Sequence, residues 1–247
     1  MRLTVLTYNV HKCVGGLDRR YRPERVVETA AHHAPDIVLL QECGNGTETG
    51  PRWHRQVDVL ADGLGLGHRA WFPNHRYRRG GEYGNAVLSR WPIHDVENVD
   101  LTVPGRKKRS VLHARVMAST EGGHHRTVHV FNMHLGLRED TRKKQLAAFV
   151  ACRPFARLRR STPIVVGGDL NDVFGTLGPR HFVPAGFRTG RRVRTFPAWA
   201  PFQALDAIYV RGDVELLHLA RSRLAAARQA SDHLPLVAEL ELRPPTD

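Results

Sequence analysis

Short apolar runs, each closed by Gly, Pro or a polar cluster, recur along the whole chain. Arg2 to Val10 reads as a buried strand, and a helix is predicted from Pro23, whose fixed φ suits a first helical position. Val26, Ala30 and Ala34, with Val27 and Ala31 beside them, make its apolar stripe, and Pro35 stops it. Asp36 to Glu42 follows as a second buried strand; Trp53, Val57, Leu60 and Leu64 then mark another helix, ended by Gly63 and Gly65. Next comes a run of strands: Gly84 to Ser89, Ile93 to Val99, and Ser110 to Ala118 with Leu112, Ala114, Val116 and Ala118 on one face. Gly122-Gly123 turns the chain into Thr127 to Leu135. A helix from Glu139 to Val150, with room to continue past a kink at Pro154, and a short strand from Pro163 to Gly168 complete the middle. The last third carries strands near Leu205 to Val210, Val214 to Leu219 and His233 to Leu242.

Many strands, few helices and two halves of similar texture predict an α/β sandwich, two sheets face to face with helices outside, formed by residues 1–247 as one domain. At 247 residues the chain can bury a substantial core, and 41% apolar with 25% charged residues excludes a disordered or collagen-like protein. No apolar run is long enough for a membrane span, and the strand pattern starting at Met1 leaves no room for a signal peptide, so a soluble cytoplasmic protein is expected. Cys13, Cys43 and Cys152 form neither a disulfide framework nor a zinc site, so any catalytic metal would be held by oxygen and nitrogen. The formal charge of +13 attracts polyanions, yet only five of 37 basic residues are lysines; heavy arginine use reads equally as a field for substrate or as plain composition.

Polar residues at the C-terminal ends of buried strands change the picture. Asn9 ends the first strand, Glu42 the second, Asn132 and His134 the fifth, and Asp169 with Asn171 the sixth; Asp206 and the pair Asp232-His233 mark the last two. Such ends feed loops, where α/β proteins gather their sites. A single Asn or Asp there is usually a turn former or cap, as Asp172 and Thr176 look to be, but that explanation weakens for the whole set. Asn9 and Glu42 offer hard oxygen ligands suited to Mg²⁺ or Mn²⁺. The i, i+2 spacing of Asp169 and Asn171 turns both side chains one way, so the carboxylate can take a proton from a water that the amide positions. His134 can donate to a phosphoryl oxygen, as a cation stabilising transition-state charge, and Asp206 is a partner able to orient His233. Asp232 then faces a metal or a loop. Together these make a metal-assisted site for attack of water on phosphorus.

The segments Thr7-Tyr8-Asn9-Val10, Asp36 to Glu42, Gly84 to Arg90, Asn132 to Leu135, Gly168 to Asn171, Leu205 to Tyr209 and Ser231 to Pro235 resemble, in order, those of the endonuclease/exonuclease/phosphatase superfamily. The resemblance implies a four-layer α/β/β/α sandwich of two mainly antiparallel sheets. It implies Glu42 as principal metal carboxylate, with Asn9 and Asp232 as further ligands, and Asp169 as the base or water-positioning carboxylate. Asn171 would hold phosphate or the nucleophile, His134 would act on the phosphate from one side, and His233, oriented by Asp206, from the other. Asn85 would brace the site, Asn132 would face substrate, and Glu82 is a candidate partner for His134. Ala207 departs from the larger residue of many relatives and opens space beside the phosphate.

Three functions compete. The first is a divalent-metal-dependent phosphodiesterase acting on nucleic acid, supported by Arg106, Lys107 and Arg109 in one basic loop, by His75 to Arg79, and by Arg188 with Arg191 to Arg194; Tyr77 or Trp199 could stack on a base. The second keeps the chemistry but takes a phospholipid, sphingolipid or phosphoinositide headgroup, with Trp199, Pro201 and Phe202 as a small docking candidate better explained by packing. The third is a non-catalytic binding module, which the completeness of the site disfavours.

Overall fold

The computed structural model describes residues 1–46, 54–77, 80–120 and 122–244; Trp53, Arg78 and Arg79 lie outside them. Among the described residues, eleven strands form two sheets. The first contains β1 (Arg2–Asn9), β2 (Ile37–Asn45), β3 (His68–Arg76), β4 (Glu82–Ser89), β10 (Val214–Arg221) and β11 (Leu236–Leu242), in the order β10-β11-β1-β2-β4-β3. The second runs in chain order through β5 (Ile93–Asp100), β6 (Ser110–Ser119), β7 (His125–His134), β8 (Ile164–Asp169) and β9 (Asp206–Arg211). Each sheet has one parallel pair, β1 with β2 and β7 with β8; the remaining pairs are antiparallel.

Alternation along the strands assigns the layers. Val5, Leu39, Val87, Val130, Val165 and Ile208 belong to the core between the sheets. Their neighbours Leu6, Leu40 and Leu88 turn the other way and pack with Val26 and Ala30 of α1 (Pro23–Ala31) and Val57 and Leu60 of α2 (Gln56–Gly63). On the opposite side, Phe131 and Val166 pack with Leu146 and Phe149 of α3 (Glu139–Ala151) and Phe155 of α4 (Arg153–Ala156). A last short helix, α5 (Ala227–Ala230), lies against α1. The result is the α/β/β/α sandwich. No helix among the described residues is long and apolar enough to cross a membrane.

Some elements depart from the sequence reading. Strand β3 was not anticipated: it is an edge strand with a largely exposed face and Pro73 inside it, so neither alternation nor composition announces it. Part of the supposed basic loop at His75 to Arg79 is therefore strand, with Arg76 bonded to Glu82 at 2.8 Å. Helix α1 ends at Ala31, and Ala34, placed in its stripe, has φ 43° beyond it. The final strand starts at Leu236, because Pro235 has no N–H to give a ladder and residues 231–235 form a loop.

Candidate active site

The two parallel pairs aim their C-terminal ends at one cleft. Across β7, β8 and β9 the register pairs His134 with Asp169 and Asp169 with Asp206, so three site residues form one row at a sheet end. Asn9 ends β1 in the facing sheet and donates from Nδ2 to Asp169 Oδ2 at 3.0 Å, closing the row across the cleft. The loop after α5 brings His233 in: its Nδ1 is 2.9 Å from Asp206 Oδ2 and its Nε2 is 3.8 Å from Asp169 Oδ2. His134 Nε2 lies 3.4 Å from the same Asp169 oxygen. Asp169 is thus a buried carboxylate between two imidazoles, with its other oxygen accepting the Asn171 backbone N–H at 3.0 Å.

Backbone geometry serves this placement. Gly168 has φ 147°, and a Cβ there would stand 1.8 Å from Met133 O, so only glycine lets β8 come this close to β7 just ahead of Asp169. Glu42 sits where the β2–β4 register slips between Leu40 and Cys43, with φ 53°. Such a bulge re-aims a side chain out of the ladder. Asn171 and Lys12 also have positive φ, 51° and 61°, so three polar residues around the cleft hold conformations that non-glycine residues adopt at a cost.

The charges follow from burial and neighbours. Burial raises the Asp169 carboxyl, His233 opposes and Asp206 adds to it, leaving it at about 6. Burial alone would lower His233, but Asp206 and then Asp169 overcome it and push it up to about 10. Burial, with Arg109 next, holds His134 well below its ordinary value. The neighbours of His233 therefore favour it as the cationic imidazole, whereas burial, with Arg109 beside it, turns His134 toward the neutral form, against the expectation of a cation there.

Glu42 is ionised. Burial would raise it, yet the Lys12 ammonium outweighs burial and brings it down to about 2, and Lys12 Nζ bonds directly to its Oε2. A hard dication takes one or two carboxylates and completes its octahedron with water and substrate oxygens. Glu42 suits that role, and Lys12 marks the place as one that attracts positive charge. Among the described residues no group of three or more His, Cys, Asp and Glu is arranged as a ready metal cage, so the chain offers an open carboxylate at Glu42. Asn9 turns its carbonyl to the His11 N–H at 3.1 Å, and Asp232 accepts from Ser231 Oγ at 3.3 Å with His11 Nδ1 3.8 Å away. The donor chemistry fits a divalent ion centred on Glu42.

Other expected residues take different places. Asn132 does not face substrate. It is fully buried, donates to Leu40 O at 2.7 Å and Ala86 O at 2.8 Å in the other sheet, and accepts from Gln41 Nε2 at 2.8 Å. Its i, i+2 relation to His134 puts both on one strand face, but that face is the core two residues further down. Asn132→Ala should therefore cost several kcal/mol, at about 1–3 kcal/mol for each group left unpaired, while leaving KM unchanged; denaturant titration beside steady-state kinetics checks this. Asn85 is another inter-sheet tie, donating to Ser110 O at 3.2 Å, with its Oδ1 left unpartnered. Asn171 donates from Nδ2 to Leu135 O at 3.0 Å. Glu82 pairs with Arg76, not with His134, because it stands at the start of β4 beyond the cleft. Arg106 and Lys107 are exposed, the Lys107 ammonium 5.5 Å over the Tyr83 ring. Arg109 is buried, with Nη1 3.4 Å from His75 Nε2 and Asp169 and Glu42 as its carboxylate influences. Trp199 and Phe202, expected to pack, are exposed.

Two contributors were missed. Thr195 donates to Asp206 Oδ2 at 2.5 Å, sharing the oxygen that holds His233. Lys12 bonds the Glu42 carboxylate. Its signal was a lysine three residues past a strand-end asparagine, in a chain with just five lysines.

An α/β/β/α sandwich carrying a buried carboxylate between two imidazoles, beside an ionised glutamate, has the layout of a phosphoester hydrolase. The chain belongs to the Endonuclease/Exonuclease/phosphatase family, whose profile matches residues 6–233. It is 35% identical over 254 residues to the protein YbhP of Escherichia coli (strain K12), covering 96% of each chain. Its fold is similar to that of an endonuclease/exonuclease/phosphatase from Beutenbergia cavernae, with TM-score 0.78, 22% identity, and coverage of 99% of this chain and 72% of that one. It is also similar to ANGEL2, a 2′,3′-cyclic phosphatase, with TM-score 0.71, 17% identity, and coverage of 99% and 96%. Hydrolysis of phosphoesters is the family's chemistry, and divalent metals are its general cofactors.

Proposed function

We propose that this protein is a divalent-metal-dependent phosphodiesterase that cleaves nucleic acid by attack of water on phosphorus. The observation that carries the reading is the position of Asp169, buried between His134 and His233 and fixed by Asn9 and Asn171. As an anion, Asp169 takes the proton of the attacking water while the water oxygen bonds to phosphorus and the ester oxygen leaves on the far side. His233, cationic and oriented by Asp206, donates to a phosphoryl oxygen and offsets the charge gained in the transition state. Neutral His134 holds the opposite side of the phosphate. Arg109, a buried guanidinium without a carboxylate bonded to it among the described residues, suits a second phosphoryl oxygen. Mg²⁺ or Mn²⁺, bound at Glu42 with Asn9 and Asp232 as further or water-mediated ligands, would supply Lewis-acid neutralisation of the phosphate.

Nucleic acid is favoured over a lipid headgroup by the formal charge of +13 and by the exposed Arg106 and Lys107 beside the cleft. The adenosine-2′,3′-vanadate bound to ANGEL2 shows that this fold accommodates a nucleotide in a relative. The test is a side-by-side assay on single-stranded DNA, duplex DNA, RNA, sphingomyelin and bis-p-nitrophenyl phosphate. EDTA should abolish turnover, added Mg²⁺ or Mn²⁺ should restore it, and Glu42→Gln should require far more metal. Turnover that survives EDTA overturns the metal assignment, and cleavage confined to sphingomyelin overturns the nucleic-acid one.

A further inference from the structure

Several surface arginines here meet carboxylates: Arg25 with Asp18, Arg69 with Asp62, Arg90 with Asp36 and Arg115 with Asp95. A groove of about 760 Å³ between edge strand β10 and residues 191–194 follows another rule. Arg191, Arg192, Arg194, Arg221 and Arg223 line it together with three histidines, and among the described residues no Asp or Glu does. The arginines that are fixed are fixed by neutral groups. Arg192 donates to Val173 O at 3.2 Å, to Ala204 O at 3.0 Å and to Asp172 O, and Arg221 donates to Arg194 O at 2.7 Å. A carbonyl orients a guanidinium without cancelling its charge, so the groove keeps a concentrated positive field. Arg191, Arg194 and Arg223 are exposed and free of carboxylate partners among the described residues.

One wall of the groove is joined to the site along the chain. Residues 191–194 run straight into Thr195, whose hydroxyl donates to Asp206, and Arg192 ties the loop after β8 to the stretch ahead of β9. Aromatic rings stand free on the same loops: Phe174 is 74% exposed, Trp199 56% and Phe202 62%. A duplex buries its base faces, whereas a single strand presents them for stacking, and a basic track with free rings beside it is how single strands are held without sequence preference.

We propose that this groove is a second binding site for single-stranded nucleic acid. Its phosphates contact Arg191, Arg194 and Arg223, its bases stack on Trp199 and Phe202, and the strand leads onward to the cleft. The inference rests on the nucleic-acid reading above and adds to it a strand preference and a location outside the catalytic residues.

The experiment measures binding of a fluorescent 20-nucleotide poly(dT), a duplex of equal length, and vesicles containing phosphatidylserine, all in EDTA so that nothing is cleaved. The wild type should prefer the single strand. The triple variant Arg191→Ala/Arg194→Ala/Arg223→Ala should bind it about ten-fold more weakly or worse, with the salt dependence, as log K against log salt, shallower by about 2, since each phosphate contact on a single strand contributes roughly 0.7. Trp199→Ala/Phe202→Ala should also weaken it about ten-fold or more, with the salt slope unchanged. Both variants should hydrolyse bis-p-nitrophenyl phosphate at the wild-type rate, which also shows that they fold. If the wild type binds poly(dT) and the triple variant matches it in affinity and slope, the groove is not the site, although the nuclease reading stands. If the wild type binds neither nucleic acid, that reading fails and the groove's ligand with it. Arginine-dependent binding to vesicles and not to poly(dT) makes the groove a membrane surface and overturns the proposal.

Discussion

Asp169→Asn is expected to lower kcat by roughly 10³-fold with little change in KM, the loss of one positioned general base. The substitution keeps a carbonyl oxygen for the Asn171 N–H and adds no volume, so circular dichroism should show an intact fold. The pH profile gives the sharper check. Burial first, with Asp206 adding and His233 opposing, sets the carboxyl at about 6. Asp169 accepts a proton only when ionised, so kcat/KM should fall as pH drops through about 6. An ordinary aspartate would hold its rate down to about 4. An acid limb near 4, or a variant within ten-fold of wild type, removes Asp169 from the role of base.

His233→Ala ranks second, with an expected loss of about 10²–10³-fold in kcat/KM, the usual size for a positioned donor at a developing charge. The wild-type imidazole stays cationic below about 10, because Asp206 and Asp169 outweigh the cost of burial. Wild-type kcat/KM should therefore decline only above about 10, and that alkaline limb should vanish in the variant. Removing the cation also takes away a charge that lowers Asp169, so the acid limb should move upward from about 6. Because the two residues act on one phosphate 3.8 Å apart, the double variant should be scarcely worse than the poorer single one. Additive losses would mean that they serve separate steps.

The residues that meet at Asp169 were legible because they break a pattern. Asn9, His134 and Asp169 end buried strands, where burial selects against polar side chains, so their presence needed a reason. Asn132 broke the same pattern for a different reason, and nothing local separates the two. Whether an amide faces a cleft or the backbone of a facing sheet depends on how deep along the strand the sheets touch. Strand β3 was illegible because one of its faces sees water and an edge strand needs no alternation. The exposure of Trp199 and Phe202 was equally hidden, since an aromatic pair between a proline and a glutamine is compatible with a core or a rim.

From the amino-acid order alone come the strand and helix periodicities, the excess positive charge and the set of polar strand ends, because each is a property of neighbours along the chain. The charge states within the cleft, with His233 and not His134 as the cation, belong to the tertiary structure. So do the ammonium of Lys12 on Glu42 and the arginines that meet carbonyls where others meet carboxylates. Each of these depends on the distance and burial of groups tens to hundreds of residues apart, and electrostatic energy is set by separation in space and by the water excluded between charges.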